Sequence, residues 1–268
     1  MVDCYLLYSS NCWITGKQLG QWLFGEDRDK YGKIDNMESR RYDYLIRYGC
    51  SRSVDYIPSV KTINRKKSIE NTTNKYKMLK KMDNAGVPVS EYSRDLDELV
   101  NKCGYPIIGR SFNHMQGSDV NLILQRVDDE IQNNDYYLEY INKKKEIRVH
   151  VINNQIKKIN VKKLENVSEY NSVVWNYENG FVFGVEDNVH NGVSQSIVAV
   201  NCLGLDFGAV DLVIDENNNV YIFEVNTGAG LSENNLEIYG KEFASMIGMD
   251  EDDVAGMEYV DWSLGEDE

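Results

Sequence analysis

Hydrophobic and polar residues change rhythm several times along the chain, and each rhythm predicts an element. In "NTTNKYKMLKKMDNAG", residues 71–86, Met78, Leu79 and Met82 lie three, four and seven positions beyond Lys75, the spacing of one helix face. A helix is predicted here, capped by Asn71 or Thr72 and stopped by Gly86 and Pro88. Lys75 stands beside its inward stripe, where a lysine ordinarily lays its stem along the core and keeps its charge in water. The segments "VPVSEY", "DLDELVNKCG", "YPIIGR", "VNLILQ", "VDDEIQNN" and "YYLEYI" follow. Their order reads β-α-β-β-α-β, a small α+β lobe.

Two later stretches alternate strictly. Ile147, Val149 and Val151 alternate with Glu146, Arg148 and His150, so one face of this strand is apolar and the other ionisable. Ile159 and Val161 of the next strand match the apolar face only if the turn is the three residues "NNQ". That register sets Glu146 opposite Lys162, Arg148 opposite Asn160 and His150 opposite Lys158. In "GAVDLVIDENNNVYIFEVNTGAGL", the four residues "ENNN" are the predicted hairpin loop. Pairing Asp215 with Val220 then sets Val213 opposite Ile222, Leu212 opposite Phe223 and Asp211 opposite Glu224. Asn226, two residues past Glu224, shares its face. The "TGAG" behind it is a turn with room for a substrate against the backbone.

Two carboxylates opposed across a ladder repel, and the apolar run around Asp211 and Glu224 denies them water. A cation between them resolves the conflict. With the amide oxygen of Asn226 they make an all-oxygen set suited to Mg²⁺ or Mn²⁺, which keeps positions for water and phosphate. The face bearing Glu146, Arg148 and Lys162 suits a nucleotide, the acid accepting ribose hydroxyls and the cations stabilising phosphate or acyl phosphate. A solvent-exposed sheet presents the same pattern. His150 is left without a chemical role. The polar loop "SFNHMQGSD" after Arg110 offers backbone donors, with His114 a phosphate contact rather than an acid or base. Its spacing is neither that of a Walker A loop nor G-x-G-x-x-G. With neither a G-x-S-x-G elbow nor a convincing Cys–His pair, no side-chain nucleophile is indicated.

Composition narrows the picture. A chain of 268 residues, 42% hydrophobic, supports one large domain or two small ones. The net charge of −14 argues against a nucleic-acid footprint, although nine carboxylates and no Lys or Arg fall in 250–268. That acidic tail is expected to be a solvated, flexible end. Five scattered cysteines with no C-x-x-C pair point to reduced thiols, and the lack of a membrane-length apolar run or leader pattern points to a cytoplasmic protein. Residues 1–65 carry no assignable motif and read as a small N-terminal module. Oligomeric state is not legible.

Together these stretches resemble the ATP-grasp superfamily, particularly its carboxylate–amine ligases of the ribosomal-protein glutamate ligase type, over roughly 64–248. The resemblance implies an α+β fold in which two lobes grip ATP: a smaller lobe with its lead-in helix over 66–138, and a C-terminal lobe with the metal site over 139–249. In "GLDFGAVDLVIDENNNVYIFEVNTGAGL", Asp211, Glu224 and Asn226 match the magnesium positions. Lys75 matches a phosphate-binding lysine, and Arg110 stands where the family usually has a second nucleotide-binding lysine. Glu139, Tyr140 and Ile141 resemble the hinge that receives adenine, and Glu146 the ribose-binding acid. The "EIR" step and "WNYENG" are similar to the ribosomal-protein branch, making Arg148 and Asn176 substrate-side candidates. Where some relatives carry an arginine two residues before the metal-binding aspartate, this chain has Ala209, so Lys162 or Arg148 would hold the acyl phosphate. The implied reaction uses ATP and Mg²⁺ to join a carboxylate to an amine (or thiol) through an acyl phosphate. The substrates would be small molecules, peptides or a protein end. A nucleotide-binding module without ligase activity, or a phosphotransferase on the same fold, is the alternative.

Overall fold

The computed structural model describes residues 2–38, 40–54, 59–112, 120–125, 134–166, 173–185 and 192–264. In the N-terminal module, β1 (Cys4–Tyr8), β2 (Tyr31–Gly32), β3 (Tyr42–Tyr48) and β4 (Ser59–Ile63) form a parallel sheet in the order β2-β1-β3-β4. Helix α1 (Trp13–Phe24) buries Leu19, Trp22 and Leu23 beside this sheet. The last described residues pack here too, contrary to the flexible tail expected from composition. Ala255 and Gly256 donate backbone bonds to Leu23 and Trp22, and Asp261 exchanges bonds with Gln18 and Gln21. Met249, Val254, Met257 and Val260 join the apolar cluster. Those apolar side chains, spaced among the acids, dock the segment, and Asp250, Asp252, Asp253 and Glu258 stay exposed.

The predicted helix starts at Asn74 rather than at Asn71 or Thr72, and a separate helix precedes it. Helix α2 (Lys66–Thr73) ends there and α3 (Lys75–Asn84) begins, because Asn74 is extended (φ −85°, ψ 105°) and its side chain accepts from the Lys77 amide at 2.9 Å. The expected caps, Asn71 and Thr72, lie inside α2 instead, where Asn71 donates to the Leu203 carbonyl at 3.2 Å. Next come β5 (Tyr92–Ser93), α4 (Leu96–Cys103), β6 (Ile107–Arg110), β7 (Asn121–Ile123) and β8 (Tyr136–Glu139), whose strands form an antiparallel sheet in the order β5-β8-β6-β7. Asp95 caps α4 by accepting from the Glu98 amide at 3.1 Å. The helix expected over "VDDEIQNN" falls largely outside the described residues.

The largest sheet holds β9 (Lys143–Ile152), β10 (Gln155–Leu164), β11 (Phe181–Val185), β12 (Phe207–Asp215) and β13 (Val220–Asn226) in the antiparallel order β11-β10-β9-β12-β13. One face, with Ile147, Val149, Val210, Leu212 and Ile222, is buried under α2, α3 and α5 (Gln195–Cys202). The other is shared. Its lower end, with Ile152 and Phe207, is covered by Leu236, Tyr239 and Phe243 of α6 (Glu233–Ile247), which also packs on α1. A Cβ on Gly240 would lie 2.2 Å from the Trp22 ring, so glycine permits that approach. The upper end is left open as a cleft.

Two β-bulges correct the expected hairpins while preserving the pairings of Asp211 with Glu224 and of Arg148 with Asn160. Between β9 and β10 the turn is the two residues Asn153 and Asn154, both at positive φ (50° and 61°), with Gln155 opposite Ile152. An irregularity between Ile156 and Lys158 then restores Lys158 opposite His150 and Asn160 opposite Arg148. Between β12 and β13, Ile214 pairs with Val220 and Leu212 with Ile222, one residue off the expected register. The extra residue, Phe223, brings Asp211 opposite Glu224 after all. In both hairpins burial of the apolar face dictates the register, and the bulge absorbs the mismatch with the turn.

Candidate active site

The cleft has a volume of about 1650 Å³, well above the roughly 300–1,000 Å³ of small-molecule pockets. It runs from the β8–β9 connection, across the open face of the large sheet, to Ser9–Thr15 and Gly49–Arg52 of the N-terminal module. The space exceeds what a single small-molecule ligand fills.

Its floor is a set of paired charges. Arg148 on β9 lies opposite Asp211 on β12 and donates to both its oxygens, Nε to Oδ1 at 2.7 Å and Nη2 to Oδ2 at 2.8 Å. Lys75, at the start of α3, reaches Glu224 Oε2 at 2.9 Å. Between the acids, Asn226 Nδ2 donates to Asp211 Oδ2 at 3.1 Å and to Glu224 Oε1 at 2.9 Å. Opposed acids do require positive charge, and the Arg148 and Lys75 side chains supply it. Burial pushes the Asp211 carboxyl up, an effect that Arg148 only partly offsets. Burial acts on Glu224 in the same sense, yet the Lys75 cation and the Asn226 amide outweigh it and hold that carboxyl below its usual range.

Among the described residues no group of three or more His, Cys, Asp and Glu gathers as a metal site. Asp211, Glu224 and Asn226 nonetheless fit Mg²⁺ or Mn²⁺ in kind: two carboxylates converge on one amide, whose oxygen becomes the third hard donor when the amide is turned. Lys75 is not a snorkelling surface residue. Its side chain is 12% exposed, and Met78, Leu79 and Met82 on the same stripe are buried.

Glu146 on β9 is held between two lysines. Lys162 Nζ contacts Oε1 and Lys143 Nζ donates to Oε2 at 3.0 Å. This face is therefore neither solvent-exposed nor an unengaged acid. Glu139, Tyr140 and Ile141 line the cleft where the small lobe meets the large sheet; the Glu139 and Tyr140 amides donate to the Glu91 and Pro106 carbonyls at 2.9 and 3.4 Å. Arg110, at the end of β6, faces the same space. Asn176 lines the opposite wall, but its Oδ1 accepts from the Asn179 amide at 3.1 Å and from Asn179 Nδ2 at 2.6 Å. His114 lies outside the described residues. His150 lies under α6, away from the cleft, bonded to Tyr239 Oη at 3.0 Å and Asn160 Oδ1 at 3.1 Å.

Lys143 escaped the sequence reading for a local reason. Strict alternation puts Lys144, not Lys143, on the face of Glu146. The β9–β12 ladder shifts there, pairing Asp215 with Lys143 and Ile214 with Lys145, so Lys143 turns inward and Lys144 reaches out to Asn218 Oδ1 at 3.1 Å. The Arg148–Asp211 pair was also illegible, because β9 and β12 are not consecutive strands.

The N-terminal wall is riveted to the end of β13. The Gly49 amide donates to the Thr227 carbonyl at 2.9 Å, the Tyr48 hydroxyl bonds to the Ala229 carbonyl, and Cys12 Sγ packs against Gly228. The "TGAG" turn is thereby clamped beside Glu224 and Asn226.

No family model matches the chain, and no curated protein sequence matches it. Solved structures do. D-alanine–D-alanine ligase from Bacillus anthracis superposes with a TM-score of 0.63 at 14% identity, covering 97% of this chain and 96% of that one. N5-carboxyaminoimidazole synthetase from Staphylococcus aureus, complexed with ADP, gives 0.64 at 12% identity over 92% and 78%. The ATP-grasp ligase PsnB, complexed with minimal precursor, Mg and ADP, gives 0.63 at 13% over 90% and 97%. At such identities the likeness is one of architecture, and it spans nearly the whole chain: the protein has the ATP-grasp fold.

Proposed function

We propose that the chain is an ATP-dependent ligase joining a carboxylate to an amine. The observation that carries this reading is the convergence of Asp211, Glu224 and Asn226 on the cleft floor with Lys75 and Arg148 against them. In this reading a carboxylate oxygen attacks the terminal phosphorus of ATP, the bond to the bridging oxygen breaks, and ADP leaves an acyl phosphate behind. The amine nitrogen attacks the carbonyl carbon, phosphate departs with the C–O bonding pair, and the nitrogen gives up a proton. The side chains position and neutralise rather than react.

Glu139, Tyr140 and Ile141 hold the adenine and Glu146 accepts from the ribose hydroxyls. Lys75, Arg110 and His114 take phosphate oxygens. Arg148 and Lys162 neutralise charge on the transferring phosphoryl group, and Asn176 contacts the second substrate. Asp211, Glu224 and Asn226 would hold Mg²⁺ or Mn²⁺, which would supply further neutralisation of phosphate charge.

One observation favours a second reading. Arg148 engages both oxygens of Asp211, as suits a nucleotide-binding module without ligase chemistry. ADP release separates the two. With ATP, Mg²⁺ and pooled carboxylates and amines, a ligase releases ADP beyond one equivalent per enzyme only when both pools are present. Nucleotide binding without ADP from any mixture refutes the ligase and leaves the module, while multiple-turnover ADP release that ignores the amine pool marks a phosphotransferase. Asp211→Asn and Glu224→Gln should each abolish turnover, and unchanged rates would overturn the metal assignment.

A further inference from the structure

We propose that Lys143 is a positioning residue that orients the sugar-binding carboxylate of Glu146 and seats the Val173–Trp175 segment as a wall of the nucleotide site; this rests on the nucleotide reading above. The Lys143 side chain is only 6% exposed. Its ammonium has three donors. One goes to Glu146 Oε2 at 3.0 Å and another to the Val173 carbonyl at 2.9 Å, and the nitrogen stands 4.6 Å from the centroid of the Trp175 ring. Lys162 does the same from the other side, contacting Glu146 Oε1 and donating to the Trp175 carbonyl at 2.5 Å. Trp175 in turn stacks on Phe181 of β11, centroids 4.8 Å apart and 8° from parallel.

The geometry has a chemical consequence. Each Glu146 oxygen has one lysine partner and retains a lone pair, and the two lysines fix which way those lone pairs point. A carboxylate held in that way matches a vicinal diol, one hydroxyl to each oxygen. Lys143 and Lys162 also donate to the carbonyls of Val173 and Trp175, so the same frame fixes the neighbouring wall. Burial pushes the Lys143 ammonium pKa down, with Glu146 opposing the shift. An ammonium so placed is retained by its three partners, and removing it loosens all of them at once.

The experiment is a calorimetric titration of ADP and of 2′-deoxy-ADP into the wild type and the variants Lys143→Met, Lys143→Arg and Lys144→Met, with tryptophan emission recorded in parallel. Removing one charge-assisted bond to Glu146 should weaken ADP binding about tenfold. The preference of the wild type for ADP over its 2′-deoxy analogue should collapse toward one in Lys143→Met, and the Trp175 emission should shift to the red. Lys143→Arg, whose fork still reaches Glu146 and Val173, should recover most of both. Lys144→Met should change nothing. In a turnover assay, Lys143→Met should raise KM for ATP and spare kcat.

If Lys143→Met matches the wild type in affinity and sugar preference, the assignment is overturned, whatever the fate of the nucleotide reading. A wild type that takes up no nucleotide overturns both. Should Lys143→Met fail to fold, Lys143→Gln against Lys143→Arg decides: equal sugar preference in the two refutes the assignment, and a preference kept only by arginine supports it.

Discussion

Acidification should destabilise the protein through one buried histidine, and the size of the effect follows from its surroundings. His150 is 1% exposed. Asn160 Oδ1 accepts from Nε2 at 3.1 Å, so Nδ1 is the bare nitrogen and accepts from the Tyr239 hydroxyl at 3.0 Å. Burial first, and then the neighbouring Arg148 cation, push the imidazole from 6.5 down to about 3. The sign follows directly: between those values the unfolded chain binds a proton that the native protein refuses. Stability from this group is therefore whole at neutral pH and is lost as pH falls below the unfolded value. At pH 5 the loss is about 2 kcal/mol, a fall in Tm on the order of 4–8 °C for a chain of this size. Carboxylates also titrate in acid, so the measurement is differential. Urea denaturation of the wild type and of His150→Gln at pH 8, 7, 6 and 5 should show the gap between them shrinking by about 2 kcal/mol. Parallel stability curves for the two proteins would refute a buried neutral imidazole.

Other perturbations have equally definite outcomes. Gly228→Ala would put a Cβ 3.0 Å from Cys12 Sγ and 3.1 Å from Gly49 Cα, so it should cost about 1–3 kcal/mol in thermal or urea unfolding; Gly230→Ala, which meets nothing within 4 Å, should be near neutral. Arg148→Met strands a buried carboxylate and should cost about 3–5 kcal/mol. The double variant Arg148→Met/Asp211→Leu should recover much of that loss, and a double-mutant cycle giving simple additivity would rule out the coupling.

How much of this was legible in the sequence depends on the range of the interaction. Alternation located both functional hairpins and paired Asp211 with Glu224, and Glu146 with Lys162, because burial of Ile147, Val149, Leu212 and Ile222 dictates which way each neighbour faces. The turns were misjudged at both hairpins, since a bulge lets a two-residue "NN" turn or a longer "DENNN" loop serve the same register. The start of α3 carried a local signal, an Asx cap at Asn74, but Asn71 and Thr72 just before it are equally good cap residues by type. Contacts between elements distant in sequence left no local trace: Arg148 against Asp211, Lys75 against Glu224, and Gly49 against Gly228 depend on how separate elements pack. The acidic tail was misjudged because composition reports its carboxylates and not the spacing of Met249, Val254, Met257 and Val260.

The stacking of β9 on β12 also explains how the floor tolerates so much charge. Lys75, Lys143, Arg148 and Lys162 meet Glu146, Asp211 and Glu224 in one cleft, each carboxylate touching at least one cation. An unpaired member would cost several kcal/mol, on the order of 3–5, so the set is stable only as a network. For an anionic ligand that network is an advantage. A phosphate entering it competes with carboxylates for N–H donors already in place, and no cation has to be stripped of bulk water first. The rest of the chain repels such a ligand, since the net charge is −14; here cations outnumber acids by one, and low-dielectric walls concentrate the difference. Moving Arg148 one residue along β9 would turn it to the opposite face of the sheet and leave Asp211 and Glu224 facing each other with Lys75 alone. The ladder register of a strand far away in sequence is thus what sets a cation against two acids that would otherwise repel.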